Sequence, residues 1–275
     1  MIRIGVRAHD FGRFSADELA SRIAAKGISC VQLALNKAID GLDLKNGDLN
    51  PGLAWEIGRA FAKHNVQIAV LGCYINPIHP DLQARRQLLG FFKEHLRYAR
   101  DFGCGIVALE TGSVNADTSP HPDNSSDRAF DHMLASIASL VAEAEKFGVI
   151  VGLEAVTWHT VSTPVRMRKV LDTINSNNLQ VVFDPVNLID ITNWPRQDQV
   201  IQESLELFGD RIAIIHAKDF KVEDGRFKQV RTGLGSLNYK LLMNWIRQRK
   251  PSISILLEDA TAETYGECVK YIQSA

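Results

Sequence analysis

The sequence predicts an α/β protein built as a (β/α)8 TIM barrel, and three observations carry that expectation. Eight short apolar runs alternate with long amphipathic stretches from one end of the 275-residue chain to the other. The runs are rich in Val, Ile and Leu with little polar alternation, which is how strands buried on both faces of a parallel sheet read. The turn after the first run, Val6-Arg7-Ala8-His9-Asp10-Phe11-Gly12, is not the glycine-rich fingerprint that an open dinucleotide-binding sheet carries there.

The predicted strands are residues 2–6, 30–35, 66–73, 105–109, 149–153, 179–183, 211–215 and 253–257. Helix punctuation fills the intervals. Ser15 with Glu18 three residues on is a capping-box pattern, and Gly27 closes that helix. Thr163 caps a helix that has Pro164 at its first position. Asn238 caps another that runs to about Arg249. Gly103, Gly148 and Gly209 each stop a helix just before a strand. No linker, low-complexity stretch or composition break interrupts the pattern, so one barrel domain is expected over residues 1–275. The long loops, 111–125 and 217–237, follow strands four and seven, on the face where barrels keep function.

Composition sets bounds. Lys and Arg number 31, Asp and Glu 32, for a net charge of -1, without the basic excess of a nucleic-acid binder. Cys30, Cys73, Cys104 and Cys268 form no Cys-x-x-Cys pair and read as buried free thiols of a reducing compartment. The N-terminus enters a strand-like run with no signal pattern, and no apolar stretch approaches the roughly 20 residues of a membrane span. A cytoplasmic protein with neither nucleic-acid nor membrane partner is expected.

The chemistry sits at the ends of the last four predicted strands, which close on Glu154, Asp184, His216 and Glu258, separated by 30, 32 and 42 residues. Each gap is about one βα unit, so the four residues fall on adjacent strands and converge at one mouth. One charged residue after a strand is ordinary; four of metal-ligand type, one per strand, are not. Three clustered carboxylates repel one another unless a proton or a cation intervenes. The oxygen-rich set favours Mn²⁺ or Mg²⁺, its single imidazole admits Co²⁺ or Zn²⁺, and the lack of cysteine argues against structural zinc.

With this series, the segment His216-Ala217-Lys218-Asp219 and the Gly233-Leu234-Gly235 turn, the chain resembles the sugar isomerase/epimerase superfamily of xylose isomerase-like barrels, ketose epimerases included, over essentially its whole length. The resemblance implies a metal-dependent isomerase or epimerase of a small ketose or related keto-polyol. The metal would grip a carbonyl and a neighbouring hydroxyl and stabilise an enediolate. Glu154 and Glu258, on opposite faces of the substrate, would be the base and acid. It also implies a homodimer or homotetramer. The chain departs from the epimerase pattern beyond the metal: Asn187 stands where many relatives have histidine, Val222 where many have arginine, and Ala155-Val156-Thr157-Trp158-His159 follows the strand-five glutamate. The sugar-binding shell is therefore its own.

Secondary candidates for substrate contact are His159, Asn187, Lys218, His9, Glu110 and Tyr74. Tyr74-Ile75-Asn76-Pro77-Ile78-His79 reads as a lid, a substrate wall or a plain turn. Gly233 and Gly235, with Arg231 and Lys228, read as a phosphate cradle or simply a turn. Trp55, Trp194 and Trp245 lie in expected helical segments as packing or oligomer-face residues. Three other functions fit the scaffold. A metal-dependent dehydratase or lyase of an inosose-type keto-polyol would need Lys218 or His159 as leaving-group acid. An abasic-site endonuclease would carry a histidine at Asn187 and an Asp-x-His at strand seven, where this chain has Ile214-Ile215-His216. A non-catalytic sugar-binding barrel would bind without turnover.

Overall fold

The computed structural model describes residues 2–275; Met1, where the expected domain begins, lies outside them. Eight parallel strands close a barrel: β1 (Arg3–Arg7), β2 (Cys30–Leu33), β3 (Gln67–Gly72), β4 (Ile106–Glu110), β5 (Ile150–Glu154), β6 (Leu179–Phe183), β7 (Ile212–Ala217) and β10 (Ser254–Leu257), with β10 pairing back to β1. The expected strands agree with these to within two residues. Two ends differ by that much: Leu35 opens the short helix α2 (Leu35–Ala38) instead of extending β2, and β7 runs on to Ala217.

Two apolar layers follow from strands buried on both faces. Inward residues Cys30, Val70, Ala108, Val182, Ile214 and Leu256 fill the barrel. Outward residues such as Leu33, Leu71, Leu109, Leu153 and Ile215 pack under the helices. These are α1 (Ala16–Ala24), α3 (Pro51–Lys63), α4 (Leu82–Tyr98), α5 (Asp127–Phe147), α6 (Pro164–Ile174), α7 (Gln197–Phe208), α8 (Tyr239–Arg249) and α9 (Tyr265–Ser274).

Caps behave largely as the sequence implies. Ser15 Oγ accepts from Glu18 N, although the Glu18 side chain bonds Arg22 and leaves the box half-formed. Thr163 and Asn238 accept from Arg166 N and Leu241 N. Gly148 ends α5 in the left-handed conformation. Gly209 ends α7 for another reason. Its φ is -58°, and a Cβ there would lie 2.6 Å from the Trp245 ring, so glycine admits the indole. Trp245 is thus a packing residue, while Trp194 opens a 3-10 turn rather than lying in an α-helix.

The segment after β7 corrects the expectation of an irregular loop. Residues 219–230 form an antiparallel hairpin, β8 (Asp219–Glu223) and β9 (Arg226–Val230). Asp224 and Gly225 connect it with φ of 51° and 70°, the two left-handed positions of a type I′ turn. No helix among the described residues is long and apolar enough to cross a membrane, and all four cysteines are buried and free.

Candidate metal centre

The C-terminal ends of β5, β6, β7 and β10 bring Glu154, Asp184, His216 and Glu258 together. All four are buried, each offers one ligand atom, and these atoms lie within 4.8 Å of one another. Strand order places the glutamates at the two ends of this arc, with Asp184 and His216 between them. His216 Nδ1 lies 3.2 Å from Glu154 Oε1 and 3.3 Å from Glu258 Oε1. His216 Nε2 is buried without a hydrogen-bond partner among the described residues, and Asp184 Oδ2 has only the Lys218 ammonium beside it. Unpaired polar atoms cost folding free energy unless a partner takes them up. This buried acidic and imidazole cluster can bind a divalent metal.

The surroundings differ from one ligand to the next. Lys218 Nζ reaches Asp184 Oδ2 at 3.0 Å and Glu258 Oε2 at 3.1 Å. Arg7 Nη1 adds 3.2 Å to the same Glu258 oxygen. Burial alone would raise the Glu258 carboxyl, but Lys218, His216 and Arg7 together bring it down to about 2. Asp184 goes the other way, to about 6, because burial outweighs the pull of Lys218. Burial also opposes charge on His216, yet Glu154, Glu258 and Asp184 lift it to about 9. Among the described residues neither Lys218 nor Arg7 pairs with Glu154; its Oε1 accepts from Asn187 Nδ2 at 2.8 Å and lies beside the His216 ring.

Above the cluster opens a cavity of about 450 Å³. His9, Tyr74, Glu110, Asn187 and Lys218 line it, together with Arg7, Gln32, Lys37, Trp158, Gln229 and Asp259. Burial and the charge of Glu154 push the Glu110 carboxyl up to about 7. His159 lies behind it, with Nδ1 3.5 Å from Glu110 Oε2, and burial lowers His159 to about 4. His159 therefore backs the wall instead of contacting a ligand directly, and it is neutral at pH 7. A larger groove of about 940 Å³ lies between α7 and α8, far from these groups, and gathers no comparable set.

Sequence reasoning passed over Arg7, Gln32 and Gln229. Arg7 was findable, since it ends β1 and the four ligand residues lie at or beside the ends of their strands. Gln32 Nε2 donates to Tyr74 Oη at 2.5 Å, a link across β2 and β3 with no sequence signature. Residues 75–78 are a packed wall and not a lid: all are buried, and Asn76 Nδ2 bonds the carbonyls of Ser113 and Asn115.

The glycine turn is not a phosphate cradle. Gly233 N, Gly235 N, Leu237 N and Phe220 N all donate to the Asp219 carboxylate at 2.8–3.2 Å. A Cβ on Gly235 would fall 2.2 Å from Asp219 Oδ1. Arg231 pairs with Glu267, and Lys228 lies opposite Lys221 in the hairpin.

Comparison with known proteins agrees with this architecture. The family described as xylose isomerase-like TIM barrel matches residues 20–275. The chain is 26% identical over 173 residues to the probable L-ribulose-5-phosphate 3-epimerase of Mycoplasma pneumoniae. That match covers 63% of this chain and 52% of the relative, so the chain spans about half of that protein's length. It is similar in structure to a 3-keto-D-glucoside 4-epimerase from E. coli, with TM-score 0.74 and 15% identity over 100% of both chains. It is similar also to a xylose isomerase-like TIM barrel protein from Mycobacterium smegmatis in complex with magnesium, with TM-score 0.75 and 13% identity over 99% of this chain and 95% of that one. At such identities the structural likeness is one of fold.

Proposed function

The chain belongs to the xylose isomerase-like TIM barrel family, and from that premise we propose that it is a metal-dependent isomerase or epimerase of a small ketose or related keto-polyol. The observation that carries this reading is the placement of Glu154 and Glu258 at the two ends of one buried cation-binding arc beneath a polar cavity. Glu154, Asp184, His216 and Glu258 would hold the cation, for which Mn²⁺ is the first candidate. Bound there, it supplies Lewis-acid polarisation of a substrate carbonyl and the adjacent hydroxyl.

The protein's own groups do the rest. Glu154, steadied by Asn187 and free of Lys218 and Arg7, removes the proton from the carbon beside the carbonyl, leaving an enediolate. Glu258 is held ionised by Lys218, His216 and Arg7. It takes up a proton from solvent and hands it to the opposite face of the enediolate, while Glu154 releases to solvent the proton it removed. Asn187 holds Glu154 Oε1 in place. Arg7, His9, Tyr74 and Lys218 supply donors for substrate oxygens at the cavity wall.

One observation favours a second reading. Glu110 is held near pKa 7 in the cavity, the range of a general acid at neutral pH. A departing hydroxyl could take its proton, which would make the enzyme a dehydratase of a keto-polyol. His159, lowered to about 4, is too weakly basic to hold a proton for that role.

The test is NMR in D₂O with ketoses, ketose phosphates and inososes, comparing chelated with Mn²⁺-reloaded protein. Deuterium entering the carbon beside the carbonyl only in the reloaded sample supports the epimerase reading. Exchange with loss of water supports the dehydratase. Confirmed metal binding without exchange on any substrate refutes the carbohydrate chemistry.

A further inference from the structure

Lys218 holds one oxygen on each of two residues that would ligate a dication. Its ammonium contacts Asp184 Oδ2 and Glu258 Oε2 at 3.0 and 3.1 Å, and the residue is 5% exposed. Lys218 and His216 both reach Glu258 from one extended run, two residues apart, and so face the same side of the barrel. The neighbouring Asp219 faces the hairpin and binds four backbone amides there.

The two cations beside the cluster differ in freedom. Arg7 is fastened to Asp10 and Asp259 as well as to Glu258, and its planar fork fits that arrangement. Among the described residues Lys218 Nζ bonds only the two cluster carboxylates, and it ends a flexible four-carbon stem that already lines the cavity. An ammonium and a dication on the same two oxygens would sit in contact, with strong repulsion in a buried site. One must yield, and only the lysine has somewhere to go.

We propose, resting on the metal-dependent reading, that Lys218 is an exchangeable counter-cation which surrenders Asp184 Oδ2 and Glu258 Oε2 to the divalent ion and turns its ammonium into the cavity. The three carboxylates keep a cation in either condition. With the dication in place and Arg7 still beside Glu258, the three carboxylates keep opposite charge against them without Lys218. The lysine charge is then free to meet an oxygen on which negative charge develops during proton removal. One loading event would both arm the cluster and deliver a substrate contact.

Two measurements test this: Mn²⁺ titration of wild-type and Lys218→Met protein by electron paramagnetic resonance, and the crystal structure of Mn²⁺-loaded wild type. Lys218 Nζ should stand beyond about 4 Å from both carboxylates in the loaded crystals, outside ion-pair range. K218M should bind Mn²⁺ at least about tenfold more tightly, since it has lost a competing charge, and should melt at a lower temperature when chelated. An unmoved lysine with Mn²⁺ bound overturns the proposal, as does K218M affinity that is unchanged or weaker, which would make Lys218 an orienting group. Should K218M not fold, the loaded wild-type crystals decide alone. Wild type that takes up no Mn²⁺ fails the metal-dependent reading itself, whereas uptake with a stationary lysine sinks only this inference.

Discussion

Asn187 donates its side-chain amide to Glu154 Oε1 at 2.8 Å, from a 3-10 turn that begins two residues after Asp184. One short turn thus couples two ligand positions, since Asp184 Oδ1 also accepts from Val186 N at 2.9 Å. Residues that orient ligands in this way usually matter by 10- to 100-fold. Asn187→Ala should lower kcat by roughly that factor and weaken metal binding, with little loss of stability. A titration and a steady-state assay check it, and unchanged values for both would show that Glu154 needs no support.

Glu258→Gln should leave a bound cation in place more weakly and reduce kcat by at least about 100-fold, because one of the two proton-transfer groups is gone. Glu154→Gln should be as damaging and should abolish deuterium exchange too. Exchange surviving in E154Q would move proton removal to another residue.

Metal binding should release protons. His216 rises to about 9 among three carboxylates, so at pH 7.5 a chelated sample carries a proton on the ring that a cation must expel. Calorimetry in buffers of different ionisation enthalpy should give about one proton released per Mn²⁺. Affinity should climb about tenfold per pH unit from 7 towards 9 and then level off. The linked stability has the opposite slope. In chelated protein a raised folded pKa stabilises fully below pH 6.5, and that contribution is lost as pH rises through about 9.

Much of this was legible beforehand, and the legible part has a common physical cause. Glu154, Asp184, His216 and Glu258 terminate apolar runs, and barrel geometry turns that one-dimensional position into convergence at the mouth. The link from Tyr74 to Gln32 and the reach of Arg7 to Glu258 join strands distant in sequence, so no local pattern announces them. The hairpin had signals in Asp224-Gly225 and in the alternation Asp219-Phe220-Lys221-Val222-Glu223, but charged residues at every second position set it apart from the continuous apolar runs of the barrel, which is why the segment read as loop.

Acid should weaken the fold through His95, which lies buried in α4 with Nδ1 2.9 Å from the Phe91 carbonyl. Burial lowers its pKa to about 4 from 6.5, so the unfolded chain binds the extra proton between those values. Stability is unaffected above pH 6.5 and falls as pH drops towards 4, by about 2 kcal/mol at pH 5. Urea denaturation at pH 7 and pH 5 should show a smaller drop in His95→Gln. An equal drop would assign the acid sensitivity to other groups.

Asp219→Ala should strip acceptors from four amides and cost about 3 kcal/mol. Asp219→Asn should recover part of it, and limited proteolysis should cut D219A first within residues 219–237.

The same carboxylate gives the barrel an exchange point for engineering. Everything between Asp219 and Gly235 is fastened to the scaffold at its two ends, while His216 and Lys218 lie upstream of the knot. A foreign hairpin grafted between these two residues would reshape the cavity wall at Gln229 and inherit the cluster intact, so substrate preference on this scaffold can be redesigned as a cassette without rebuilding its chemistry.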